Sequence, residues 1–141
     1  MVLVDTRSPE EVAVSTLPNA LTAAAFEARA ERFDKAELLV VPYCTVGYRS
    51  ARYCRQLRAE GFTRVRNLEG SILAWTQEGY ELVTGPGQEA TTRVHVFGEQ
   101  WALQGEGYEA VMFKRPMVSL ALSSVRGALP AWLGGTPRGG A

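Results

Sequence analysis

Residues 38–50 read Leu38-Leu39-Val40-Val41-Pro42-Tyr43-Cys44-Thr45-Val46-Gly47-Tyr48-Arg49-Ser50. The apolar run 38–43 has the length of a buried strand. Ser50 to Glu60 contains neither Gly nor Pro and suits a helix. A cysteine therefore stands at the end of a strand, and a six-residue loop leads from it into a helix N-terminus. Successive backbone N–H groups in such a loop form an anion-binding concavity. The helix end adds its free N–H groups and the positive end of its dipole. A thiol held there is favoured as thiolate, and the thiolate is the nucleophile. Gly47 allows a turn with positive φ. Arg49 closes the loop with a permanent positive charge.

The rest of the chain alternates in the same way. Val2-Leu3-Val4 is a short buried strand ending at Asp5-Thr6-Arg7. Ser8-Pro9-Glu10-Glu11 has the form of a helix start: Ser8 as N-cap, Pro9 at the first helical position and Glu11 three residues after the cap. Leu17-Pro18-Asn19 is a turn. Thr22 to Phe33 reads as a helix, with Ala24 or Ala25, Ala28 and Phe33 turned inward. On the helix over 50–60, Ala51, Cys54, Leu57 and the stem of Arg58 share a face, and Gly61 ends it. Val65 to Leu68 is a further strand, and Ser71 to Glu78 a short helix closed by Gly79. Strands alternating with helices imply an α/β fold, a parallel sheet with helices on both faces.

The composition changes at Thr84-Gly85-Pro86-Gly87-Gln88. The reading ends the core domain at residue 83, with 84–92 as a linker. Arg93 to Phe97 has strand composition. Residues 93–118 then form an extension that either packs on the domain or serves an absent partner or upstream segment. Residues 119–141, rich in Gly and Pro, are expected to be a flexible tail.

Composition narrows the function classes. The 15 basic and 15 acidic residues cancel, so overall charge points to no polyanionic partner. Locally, six arginines stand against one acid between Arg49 and Arg66. Two cysteines do not make a disulfide scaffold, which suits a reducing, cytoplasmic compartment. No signal-peptide pattern opens the chain. The longest apolar stretch, Met117 to Leu133, is broken by Arg126, Gly127 and Pro130, so no membrane span is expected. No metal-ligand spacing is present, and His95 is the single histidine. It reads as a strand-face residue, Cys54 and Trp75 as core, and Trp101 and Trp132 are unassigned.

Taken in order, these residues resemble the rhodanese-like sulfurtransferase domain. Leu3-Val4-Asp5-Thr6-Arg7-Ser8-Pro9-Glu10-Glu11 is similar to that family's Asp-x-Arg strand end and following helix, and Leu17-Pro18-Asn19-Ala20 to its Ile-Pro-Gly-Ala turn. Tyr43 to Ser50 resembles its active-site loop. Gly61-Phe62, Val65, Leu68-Glu69-Gly70-Ser71-Ile72, Trp75 and Gly79-Tyr80 resemble its closing strand and helix. The likeness covers residues 2 to about 83. Three departures are visible. The family's usual N-terminal strand and helix are missing, Ser15-Thr16 replace its Gly-His, and Ser71 replaces the second glycine of its Gly-Gly pair.

The resemblance implies sulfur transfer from a thiosulfate-like donor through a Cys44 persulfide to a thiol or cyanide, without a cofactor. Cys44 and Arg49 carry the catalytic roles. Thr45, Val46, Gly47, Tyr48 and Ser50 supply the donor-binding loop. Asp5 and Arg7 line the site, unless they form a surface ion pair. The partners implied are a small anionic sulfur donor and a thiol acceptor, protein thiols included; neither membrane nor nucleic acid is expected. Four residues separate Cys44 from Arg49, whereas phosphatases of this kind place five there. The rival readings are a small cysteine-dependent phosphatase or arsenate reductase, and a non-catalytic interaction module.

Overall fold

The computed structural model describes residues 1–113. Its centre is a parallel sheet in which β1 (Val2–Asp5) lies between β2 (Leu21–Thr22) and β3 (Val40–Tyr43). The register pairs Val2 with Val40 and Asp5 with Tyr43, so Asp5 and the cysteine loop leave the same end of the sheet. Residues 64–68 run along the outer side of β3. Val40 N–H donates to Arg64 O, Arg66 N–H to Val40 O and Leu68 N–H to Pro42 O, at 2.9–3.0 Å. The expected strand is thus present as a hydrogen-bonded ladder, with Val65 bridged to Val40.

Side chains alternate across a strand, so the sheet carries two cores. On one face Val4 and Val40 meet Phe26, Tyr53, Cys54, Leu57, Phe62 and Val65. These come largely from α2 (Ala23–Glu27) and α3 (Tyr48–Ala59). On the other face Tyr43 meets Leu17, Ile72, Leu73 and Leu82 together with Val94 and Val96. α4 (Ser71–Gln77) supplies Ile72 and Leu73. The chain is a mixed α/β fold with a parallel sheet and covering helices.

Local signals explain most element ends. α1 (Pro9–Val14) starts with the capping box: Glu11 N–H donates to Ser8 Oγ and Ser8 N–H to the Glu11 carboxylate. α3 begins two residues earlier than expected, because Gly47 at φ +116° is its N-cap. Its buried face is Ser50, Tyr53, Cys54 and Leu57, rotated from the expected Ala51–Arg58 stripe. The helix expected over 22–33 is interrupted. After α2 the chain tightens into a 3-10 turn at Ala30–Arg32, which brings the Phe33 ring to 5.2 Å from Phe26. Packing outweighs the alanine propensity there, and Phe26 is the fully buried anchor.

Residues 84–92, read as a linker, carry a hairpin instead. β4 (Leu82–Thr84) pairs antiparallel with β5 (Glu89–Thr91). Gly85 at φ +70° and Gln88 at φ +54° make the turn, so the glycine-rich composition served a reversal. β6 (Arg93–His95) pairs parallel with β7 (Glu109–Val111). Thr16 and Val83 exchange backbone hydrogen bonds of 2.8 and 3.0 Å, which tie β4 to the turn after α1. Residues 1–111 make one unit. The tail expected over 119–141, the end of the extension over 114–118, and Trp132 lie outside the described residues.

Candidate active site

Cys44 lies at the C-terminal end of β3 and is 1% exposed. Its sulfur accepts the Gly47 N–H at 3.1 Å and the Ser50 hydroxyl lies 3.4 Å away. The positive φ of Gly47 turns that N–H back onto the sulfur; its missing Cβ would sit 3.6 Å from the Asn67 amide. Burial alone pushes a thiol's pKa up. The Ser50 side chain and backbone, the Gly47 N–H and the Arg49 charge together outweigh it and bring Cys44 below its ordinary value. Cys54, one turn beyond Ser50 on the buried face of α3, has only burial of comparable weight, and its pKa is raised.

Arg49 makes a bidentate pair with Glu11, with Nη1–Oε2 at 2.8 Å and Nη2–Oε1 at 2.9 Å. Nη2 also donates to Thr45 Oγ1 at 3.0 Å. Its charge reaches Cys44, but much of its donor fork is committed to Glu11 and Thr45. Glu11 is buried, yet burial is overcome by Arg49, His95 and the Ser8 N–H, and its carboxyl is held well below the usual range. His95 Nδ1 lies 3.3 Å from Glu11 Oε1. Phe97 places its ring centroid 5.0 Å from the Arg49 guanidinium and stacks edge-on with His95. Strand β6 and the residues following it therefore complete the surroundings of the loop arginine.

The loop residues divide by role. Thr45 is buried and its hydroxyl faces Glu11 and Arg49. Gly47 and Ser50 contact the sulfur. Val46, 37% exposed, and Tyr48, 52% exposed, present their side chains to solvent. Asp5 and Arg7 are brought to the same sheet end but bond elsewhere. Arg7 Nε and Nη2 hold the Asp5 carboxylate at 2.9 and 2.7 Å, and Nη2 also donates to Ser15 O. Tyr43 Oη donates to Asp5 Oδ2 and accepts the Leu17 N–H. With side chains 0% and 1% exposed, this is not a surface pair. It is a buried brace that fixes the residue before Cys44. Burial and the Asp5 carboxylate push the Tyr43 pKa up, so its phenol stays protonated as a donor.

Three contributors to the sulfur's surroundings lie outside the expected set. Asn67 Oδ1 is 2.6 Å from Ser50 Oγ, and its amide donates to Gly47 O at 3.0 Å. Ser71 Oγ accepts the Cys44 N–H at 3.1 Å and lies 3.9 Å from Sγ. Glu11 was visible only as a capping residue. Among the described residues no group of three His, Cys, Asp or Glu side chains is arranged to hold a metal. No helix among them is long and apolar enough to cross a membrane.

Residues 1–78 match the family model of the rhodanese-like domain. The chain belongs to the rhodanese-like domain family. A protein of Allochromatium vinosum named sulfurtransferase is 36% identical over 89 residues, covering 62% of this chain and 82% of its own length. A tRNA uridine(34) hydroxylase of Xanthomonas campestris is 35% identical over 113 residues, covering 75% of this chain. The rhodanese-like chain spans only 42% of that relative. Among solved structures, a rhodanese-like domain protein of Staphylococcus aureus superposes with a TM-score of 0.50 at 31% identity, covering 60% of this chain and 81% of its own.

Proposed function

We propose that this rhodanese-like domain is a sulfurtransferase acting through a persulfide on Cys44. The observation that carries the reading is the sulfur's setting: a Gly47 N–H at 3.1 Å and a Ser50 hydroxyl at 3.4 Å, at the N-terminus of a twelve-residue helix. In the first half-reaction the Cys44 thiolate attacks the outer sulfur of a thiosulfate-like donor. A bond forms between Sγ and that sulfur, the donor's S–S bond breaks, and its electron pair leaves with sulfite. In the second half, an acceptor thiolate or cyanide attacks the outer persulfide sulfur and returns the electron pair to Sγ. The reaction is covalent catalysis in two steps. The first-turn N–H groups of α3, which have no intrahelical acceptors, would bind the donor's oxygens. Arg49 contributes its field and the loop's shape, since Glu11 occupies much of its fork.

Thiosulfate treatment should add the mass of one sulfur to the peptide containing Cys44, and cyanide should remove it as thiocyanate. A protein that stays unmodified while hydrolysing an aryl phosphate would support the phosphatase reading; one that does neither would support an interaction module.

A second reading is favoured by one observation. The hydroxylase relative matches a share of the chain that extends beyond the 78 residues of the family model. The same cysteine would then serve modification of a tRNA uridine. Loss of the modified uridine from cells lacking this chain, restored by wild type but not by Cys44→Ser, would establish it.

A further inference from the structure

Ser71 combines features that its place in α4 does not call for. It is fully buried and adopts φ +50°, a left-handed conformation that a serine rarely takes. The preceding Gly70 is also left-handed, at φ +68°. A glycine at 71 would adopt this backbone without a side-chain penalty. Strain of this kind persists only where the surroundings hold it in place. The Ser71 hydroxyl is turned toward Cys44. It accepts the Cys44 N–H at 3.1 Å and lies 3.9 Å from Sγ and 3.3 Å from Leu68 O.

A hydroxyl has one proton to donate. Ser50 lies within reach of Cys44 Sγ at 3.4 Å, but Asn67 Oδ1 competes for its proton at 2.6 Å. If Ser50 turns wholly to the sulfur, Asn67 Oδ1 loses its donor. Ser71 is not bound in this way. Leu68 O already receives the Ser71 backbone N–H at 2.9 Å, so the hydroxyl proton can leave it without orphaning the carbonyl. When negative charge develops on the sulfur, Ser71 is the hydroxyl that can turn to it at least cost.

We propose that Ser71 is a positioning residue that donates a hydrogen bond to the charged sulfur of Cys44, a role served by its side chain and not by the fold of α4. The inference rests on the sulfurtransferase reading only for its consequence in turnover; the hydrogen bond itself is a property of the thiolate. Ser71 also holds the Cys44 backbone through the N–H, which sets the direction of Sγ. Charge-assisted hydrogen bonds are about twice as strong as neutral ones, so the contact tightens in the ionised state.

The test is the pH dependence of Cys44 alkylation by iodoacetamide in the full chain, for wild type, Ser71→Ala and Ser71→Gly. Ser71→Ala removes the hydroxyl and keeps the left-handed strain. Ser71→Gly removes both and fits the backbone without strain, so a folded variant is available even if the alanine protein fails. Both should raise the Cys44 midpoint, with a three- to tenfold loss of thiolate at neutral pH. Thiosulfate:cyanide turnover should fall by a similar factor, in kcat more than in KM. A midpoint unchanged in the folded glycine variant overturns the proposal. A raised midpoint together with no persulfide in wild type keeps Ser71's role and removes the sulfurtransferase reading, so the two failures are distinct. Equal loss of turnover with an unmoved midpoint would make Ser71 merely structural and also overturn it.

Discussion

Cys44 and Cys54 are ten residues apart and equally hidden, at 1% and 2% exposure. Their chemistry differs because their neighbours differ. Cys54 sits among Phe26, Tyr53, Leu57 and Phe62, where burial raises the thiol pKa and nothing of comparable size opposes it. Cys44 is buried among donors: the Gly47 N–H, two serine hydroxyls and the field of Arg49. Burial alone makes a thiol inert; burial with hydrogen bonds aimed at the charged form makes it reactive. The regions also differ in what supports them. The Cys54 cluster is built from residues of the family-matched part. The Cys44 side depends in addition on Val94, His95, Val96 and Phe97, beyond that part.

Removing each thiol in turn separates the two regions most strongly. Cys44→Ser should reduce thiosulfate:cyanide turnover below about a thousandth of wild type, as loss of a covalent nucleophile does elsewhere. Cys54→Ala should keep most turnover and cost about 1 kcal/mol of stability, the centre of the range for point mutants. The pH profile has a definite sign. Cys44 is depressed, so its alkylation rate should rise through a midpoint below the free-thiol value of ~8.5. Cys54 should stay unreactive through that range until the protein unfolds. A Cys44 midpoint at or above the free value, or turnover lost with Cys54→Ala in a folded protein, would reverse the roles.

Truncation after Val83 tests whether the two regions have different supports. It removes Val94 and Val96 from the second core, both fully buried. Burial of a valine contributes roughly 1.5–3 kcal/mol, so the loss should be about 3 kcal/mol or more. It also strips His95 from Glu11 and Phe97 from Arg49. Melting should fall well below the full chain, and Cys44 should lose reactivity. If 1–83 keeps the stability and turnover of the full chain, residues 93–111 are dispensable and the asymmetry between the cysteine regions is lost.

Arg49→Ala should cost about 100-fold in turnover, the lower end of the range for one preorganised electrostatic group, since Glu11 and Thr45 occupy much of its fork. It also strands Glu11, whose carboxylate is buried and loses its bidentate partner. The Glu11 pKa is depressed in the fold, so its ion pair stabilises above the unfolded carboxyl value of ~4.3 and is lost as pH falls below it. Wild type should lose stability in acid more steeply than Arg49→Ala. Parallel acid denaturation curves would show that the pair does not hold the loop.

The two cysteine regions also differ in how far along the chain their supports lie. The cysteine loop, α3 and the capping box are local: Gly47, Arg49 and Ser8 lie within a few residues of what they organise. The supports of the site are not. Glu11 meets Arg49 across 38 residues of chain and Ser71 meets Cys44 across 27. Glu11 looked like a capping residue and is one, since its carboxylate accepts the Ser8 N–H and the arginine together. Ser71 appeared only as a departure from a glycine pair. His95 reads as a strand-face residue from its own stretch, yet its Nδ1 reaches Glu11 on α1 across 84 residues of chain. Asp5 and Arg7 looked like a site edge or a surface pair; the register that sets Asp5 against Tyr43 buries them instead.

The smallest expected effect belongs to Arg52, three residues from Arg49 on α3 but exposed. Arg55 and Arg66 are also exposed, so the helix and the neighbouring ladder present positive charge to solvent. Such charges raise the local concentration of small anions without touching them. Their effect is a screened field, with a Debye length of ~8 Å at 0.15 M. Arg52→Ala should therefore lower kcat/KM for thiosulfate by a factor of about two at low salt, with kcat unchanged, in keeping with the modest weight of exposed charges. The difference should vanish as ionic strength rises. Arg49→Ala should keep its deficit at any salt, because a group within hydrogen-bonding distance of the loop is not screened by mobile ions. Equal, salt-insensitive losses from both substitutions would mean that Arg52 reaches the donor directly, and the division between the loop's own charge and the charge around it would have to be redrawn.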